Sequence, residues 1–401
     1  MILKACASVL CLSLTVAAVA GPLDPPPGPV TDTEPTLGYK TLFQVEPRTP
    51  IAAADFPMQI NRPGSYYLVE NVPFIGANGE HGIEILVNDV TIDLNGFTLE
   101  GANEIFVGGT GIRAINRRNI HIKNGAVRNW GQGGISLSSS ENCIIGHVRV
   151  ENCQSTGIQG GSRARIHDCT VLGSGGTGIS ASGSAISGCA VRDSGSDGIF
   201  TSSGSSVINS ISHGNDGRGI VVSAGGSITS CGTSQNSSWG MQAINGSSIS
   251  NSGSSQDSSG FDALDGSTIT NCAANDHQTA VGISVRQGSL ADSCTVFQGA
   301  GNGIQVSSGS TVRHCNVSNV GAAGIIAQFS FSDSRIEGNN VSDCATGIEA
   351  NVASGGNLII SNSLSNNGVN FVLNVSNSIG QITAVGGATI TTGNPWANLV
   401  Y

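Results

Sequence analysis

The 401-residue chain sets 17 Lys and Arg against 27 Asp and Glu, a formal charge of -10, which excludes the basic footprint that a nucleic-acid partner needs. Charged residues reach only 11% and aromatic residues 4%, while Gly occurs 57 times; an ordinary globular domain carries about 25% charged residues, so a charged surface over an aromatic core is excluded as well. Disorder is excluded by pattern, because Ile, Val and Leu recur in register with the glycines, which polar low-complexity tracts do not do.

At the N-terminus, Lys4 precedes an apolar run from Ala5 to Val19, and Ala18-Val19-Ala20 stands before Gly21. This is the layout of a secretory signal over 1–20, too short to span a bilayer. No later stretch is apolar enough for a membrane span, so the expected location is the periplasm, the cell surface or the medium. Residues 21–38 begin with Pro22, Pro25, Pro26, Pro27 and Pro29 and read as an extended linker. In 39–80, Pro47, Pro50, Pro57 and Pro63 break long regular elements, and this segment is expected to cap the first open coil and lead into it through Gly64-Ser65-Tyr66-Tyr67-Leu68.

From residue 81 to 385 a Gly-apolar anchor returns at Gly82, Gly111, Gly134, Gly157, Gly178, Gly198, Gly219, Gly240, Gly260, Gly282, Gly303, Gly324, Gly347 and Gly368, nearly always 20 to 23 residues apart. Such a period means a unit that buries its apolar face only by stacking on copies of itself. Short alternations such as Val90-Thr91-Ile92-Asp93-Leu94, ended by Gly or Asn, are strand signals, and about 21 residues leave room for three strands per repeat but for no long helix. The longer interval from Gly82 to Gly111 predicts a loop near Gly101 to Gly109. Residues 386–401 leave the pattern and form the second cap, with Trp396 expected to close the last coil.

Eleven Cys less Cys6 and Cys11 leave nine. Cys169, Cys189, Cys231, Cys272 and Cys315 each follow a β-branched residue by three positions, with Cys294 near that register, so they read as a stacked ladder of small buried side chains. Neighbouring rungs lie within reach of a disulfide, which leaves a Cys169–Cys189 bridge open. No CxxC or Cys/His zinc spacing occurs.

The Gly-Ile anchors, the Ile-x-x-(Cys/Asn/Ser)-x-Val ladder and Val90-Thr91-Ile92-Asp93-Leu94-Asn95-Gly96-Phe97 resemble the right-handed parallel β-helix proteins of the pectate-lyase-like superfamily, and more narrowly exported bacterial β-helix repeat proteins. The resemblance runs from about Gly64 to the C-terminus. It implies an all-β, single-stranded right-handed parallel β-helix of about 13–14 coils, capped at both ends. It does not choose an activity, since that superfamily holds lyases, hydrolases, epimerases, tailspikes and adhesins. The Asn-Thr-Asp, Asp-Asp and Gly-His-Gly elements that the family's polygalacturonases imply are missing. No carboxylate cluster of the pectate-lyase calcium type follows Asp93, with Asp257, Asp262 and Asp265 expected on different faces. No metal site and no cofactor is expected; calcium is left open by the resemblance but unsupported by the residues.

Between Arg113 and His167 the chain holds seven Arg, one Lys and three His against two Glu, with Asp168 just beyond. On this anionic molecule that reads as a local basic patch. Lys123, His147, Arg149 and His167 are the candidate catalytic residues, and Lys123, Arg128, Arg149, Arg163 and Arg165 the candidate ligand-binding residues. His277 and His314 read as turn residues, and Trp130 and Trp239 as packing beside an anchor Gly. Three readings follow: binding of an acidic extracellular polysaccharide on a flat sheet face, lyase action on a uronate polymer through an Arg, Lys or His base, or a structural stalk or adhesin. A monomer is expected.

Overall fold

The structure, a computed structural model, describes residues 46–73, 79–102, 109–327, 333–351, 356–386 and 392–401. The expected signal and linker, and the centre of the expected loop between Gly101 and Gly109, lie outside the described residues. The chain divides into two compact units, Met1–Pro47 and Arg48–Tyr401. Only Glu46 and Pro47 of the first are described, and the second is a right-handed parallel β-solenoid.

One coil shows how the sequence makes the fold. After Gly178, strand Ile179–Ser182 runs to a bend at Gly183, strand Ala185–Ser187 to a bend at Gly188, and strand Ala190–Arg192 to a bend at Asp193. All three bend residues are left-handed, with φ of 56°, 61° and 54°, a region that Gly, Asn and Asp enter at least cost. The central bend repeats down the molecule as Asn124, His147, Asp168, Gly188, Asn209, Ser230, Asn251, Asn271, Ser293, His314, Gly338 and Ser361, every one at positive φ. Gly and Asn supply most of the positive-φ positions among the described residues, whereas many of the Ser residues are buried in the interior columns.

Coils stack with residues facing their counterparts, as Ile166 faces Ile186 and Ile179 faces Ile199. The first strand of each coil joins a fifteen-strand sheet and the other two join a thirty-strand sheet. Fifteen rungs exceed the expected 13–14 coils because Met58–Ile60 already pairs with Ile83–Ile85. At the far end Ile348 faces Phe371, so Asn370, two residues after Gly368, takes the anchor place. From Gly82 to Gly347 the anchor is glycine for want of room, while Pro57 takes that place before Met58 in the first rung. A Cβ on Gly178 would stand 2.7 Å from the carbonyl oxygen of Gly198 and 2.3 Å from Val191 Cγ1.

The interior is mixed. Ile, Val and Leu columns are fully buried, and all nine described Cys are free and buried. Cys294 proves to be in full register with Cys272 and Cys315, three positions after Ala291. A second column, eight positions after the apolar one, holds Trp130, Cys153, Ser174, Ser194, Asn215, Asn236, Asp257 and His277, all buried. Asn215 donates its side-chain amide to Asn236 Oδ1 at 2.7 Å, and Asn236 donates to Asp257 Oδ1 at 2.8 Å. His277 is thus a core residue and no turn residue, with 2% of its surface exposed. Trp130 is core as well, whereas Trp396 is 53% exposed and the buried Asn398 closes the last coil through Asn362.

Candidate functional site

The central bend column and the strands on either side of it place the sequence candidates. Strands Ile120–Arg128 and Ile144–Glu151 run through the bend without a break and pair in register, with Gly146 beside Lys123 and Arg149 beside Ala126. Strand Arg165–His167 follows beneath, with His167 beside Gly146. Alternation along the strand puts His121, Lys123, Arg165 and His167 outward before the bend, and Arg128 and Arg149 outward beyond it. Arg163 stands apart at the preceding left-handed bend, φ 51°.

Most of the cations already have carboxylates. Lys123 Nζ is 3.4 Å from Asp93 Oδ2, Arg128 is 3.0 Å from Glu100, Arg149 Nε is 3.1 Å from Glu151, and Arg163 is 3.6 Å from Glu141. Arg113 and Arg118 are paired in the same way with Glu84 and Glu141. Glu84, Asp93 and Glu100 come from the preceding coil, about 30 residues upstream, so the patch that reads as basic along the chain is close to balanced on the surface. Burial pushes Asp93 up, but the Asn95 N–H, the Asn124 amide and Lys123 outweigh it and hold the carboxyl below its usual range. Burial, followed by the charge of Lys123, pushes His121 down.

What the fold does gather is a pair of imidazoles and a carboxylate. His147 and Asp168 occupy the central bend in successive coils, at φ 55° and 53°. His167 Nδ1 donates to Asp168 Oδ2 at 2.9 Å, His147 Nε2 lies 3.9 Å from the same oxygen, and the two rings meet edge to face with centroids 5.1 Å apart. The His167 hydrogen bond leads the influences that hold Asp168 below the usual carboxylate range. The ligand atoms of the three residues all lie within 4.8 Å of one another. Asp168 was absent from the sequence candidates; its signal is position, since it sits 21 residues after His147 in one bend column.

Beside this group runs a shallow polar groove of about 390 Å³ that crosses four coils, from Gly96 and Thr98 over Gly125 and Ala126 to His147 and Arg149, then Asp168 and Thr170. Gly125 and Ala126 keep its floor low. The Arg149 side chain is 59% exposed.

Residues 81–238 match the family described as right handed beta helix region. No curated protein matches the chain. Among solved structures, the chain is similar to a double mutant of the tailspike protein of E. coli bacteriophage HK620 in complex with pentasaccharide, at 9% identity and a TM-score of 0.52, over 84% of this chain and 72% of that one. A second mutant of that tailspike gives 10% identity and 0.52 over 84% and 71%, and the mannuronan C-5 epimerase AlgE4 A-module of Azotobacter vinelandii gives 14% and 0.39 over 79% and 90%. The two tailspike likenesses establish the fold alone. No helix among the described residues is long and apolar enough to cross a membrane. Residues 197–400, just over half of the chain, match the family described as periplasmic copper-binding protein (NosD), and the chain belongs to that family.

Proposed function

We propose that this periplasmic-family β-helix binds an acidic polysaccharide along the groove between Thr98 and Thr170. The observation that carries the reading is the groove itself: it is polar, runs across four coils, and repeats its side chains at the rung spacing of about 4.8 Å, comparable to the advance of one sugar along an extended chain. Its low floor admits a polymer, and the hydroxyls of Thr98 and Thr170 suit sugar oxygens. The preference for an acidic sugar rests on Arg149, whose bond to Glu151 uses Nε and leaves the planar fork free to hold a carboxylate. The related tailspike carries a pentasaccharide, which supports the reading only as precedent for the fold.

The family description also names copper. Within 197–400 the five thiols are buried, and among the described residues no group of three His, Cys, Asp or Glu donors forms in that segment. The donor set that suits a borderline divalent ion is His147, His167 and Asp168, outside the matched residues.

Calorimetric titration with oligouronates and with neutral oligoglucans tests the glycan reading. Oligouronates should bind, more weakly as salt rises because exposed charges are screened within about 8–10 Å, and Arg149→Ser should cost about tenfold or more in affinity. Neutral glycans should not bind. Oligouronate affinity unchanged by Arg149→Ser would overturn the groove, and absence of any glycan binding would return the protein to a stalk. Ultraviolet absorbance from an unsaturated uronate product would replace binding by lyase action.

A further inference from the structure

We infer that His147, His167 and Asp168 form a surface site for a late first-row divalent transition-metal ion, with Cu(II) bound most tightly. Two imidazoles and one carboxylate are the nitrogen and oxygen set that such ions prefer over Ca(II) or Mg(II), and Cu(II) heads the usual order of affinity. The donors need little movement: they already lie within 4.8 Å of one another, and the 3.9 Å between His147 Nε2 and Asp168 Oδ2 closes by rotation of exposed side chains to the separation that ligands about 2.0–2.2 Å from one ion require.

A second, independent observation is the glycine beneath the ring. In the outward row Lys123, Gly146, His167, a Cβ on Gly146 would stand 2.5 Å from both Cε1 and Nε2 of His167. The absent side chain lets the imidazole fold back over the preceding coil, and that coil is the one that presents His147. Gly146 has no need of a left-handed backbone, since its φ is not among the positive values and its neighbours in the row carry side chains. The glycine acts as a cradle for the ring. Lys123 and Arg165 are the nearby cations on this face. Lys123 is engaged with Asp93, and Arg165 reaches the group only as one of the weaker influences on Asp168.

Three protein ligands leave positions open toward solvent, and because His147 and Asp168 also line the groove, a bound ion would face it. The metal site does not depend on the glycan reading, and its test contains no glycan.

The experiment is titration of chelator-treated, metal-free protein with CuCl2, followed by calorimetry and by electron paramagnetic resonance. The expected result is one tight equivalent with nitrogen superhyperfine structure, displaced competitively by excess Zn(II) only at much higher concentration. His147→Asn, which keeps a residue that tolerates the left-handed bend, and His167→Asn should each lower affinity by about tenfold or more. Gly146→Ala removes no ligand and should still lower it by about tenfold, the size of effect seen when residues that orient a ligand are changed, while the melting temperature of the metal-free protein stays put. An unchanged affinity in either His variant, or a sulfur-to-copper charge-transfer band showing thiol ligation, would overturn the site; a Gly146→Ala variant that binds Cu(II) as tightly as wild type would overturn the cradle argument.

Discussion

Asn236 donates both its backbone N–H and its side-chain amide to one oxygen of Asp257, each at 2.8 Å, from one coil to the next inside the solenoid. The other oxygen accepts the Ser254 and Thr233 hydroxyls at 2.7 and 2.8 Å. A buried carboxylate costs stability unless its lone pairs are filled, and here four donors fill them. Burial, first among the influences, nevertheless pushes the Asp257 carboxyl up.

Asp257→Ala should therefore destabilise by several kcal/mol, because three side chains lose their acceptor at about 1–3 kcal/mol each, less than additively. Asp257→Asn should be far milder, since Asn236 already plays that part for Asn215. With its folded pKa raised, Asp257 contributes stability at low pH and loses it as pH rises through the folded value. The Asn variant should accordingly gain on wild type as pH rises from 3 to 7. Urea unfolding at several pH values measures both effects, and an Ala variant as stable as wild type would remove Asp257 from the column.

His277 sits one rung further on, its Nε2 buried without a hydrogen bond among the described residues, in space kept open by Gly282 and Gly299. Burial drives its pKa from 6.5 to about 4. The folded protein holds the ring neutral while the unfolded chain takes up a proton first, so stability is full above about pH 6.5 and falls as pH drops toward 4. At ~1.4 kcal/mol per unit the loss approaches about 3 kcal/mol. His277→Gln should flatten that part of the stability curve. A wild-type curve level between pH 7 and 4 would mean that the ring reaches solvent.

Ile179 is fully buried between Ile158 and Ile199. Ile179→Asp places an unpaired carboxylate in the core and should cost several kcal/mol, spreading to adjacent coils because each is held by its neighbours. Hydrogen exchange should lose protection over 157–202 first, and protection equal to wild type would contradict the register.

The Gly-Ile anchor was legible at Gly178 because its cause is local: a strand start with no room for Cβ, followed by a core isoleucine. The polar column was not, because Asn236, Asp257 and His277 look like surface residues until each is aligned eight positions after its own coil's core residue. The same holds for charge. Lys123 and Arg128 read as free because Asp93 and Glu100 lie a whole coil upstream. His147 and His167 were visible singly, but their meeting depends on Gly146, whose meaning appears only when it is set beside His167 in the next rung.

Two kinds of ion pair on this surface give opposite expectations. Asp262 projects from the fifteen-strand sheet next to Gln242 and Ser284, yet its side chain is 0% exposed. Arg286 covers it, donating at 3.0 and 3.1 Å, and Gln242 donates at 2.8 Å. Gln242 in turn meets Arg218, which holds Asp197 through two further hydrogen bonds at 3.0 and 2.6 Å. Arg286→Ala would leave a covered carboxylate with one neutral donor, and removal of one partner from such a pair typically costs about 3–5 kcal/mol; Gln242 and entering water should hold the loss near the lower figure. Arg128→Ala, by contrast, breaks a pair in which both side chains are 40% and 37% exposed, and exposed pairs contribute about 0–1 kcal/mol. Denaturation of the two variants side by side decides the matter. Equal, small losses would show that Asp262 finds water when Arg286 is gone, and a loss confined to Arg286→Ala would identify the Asp197–Arg286 chain as the polar brace of this sheet face.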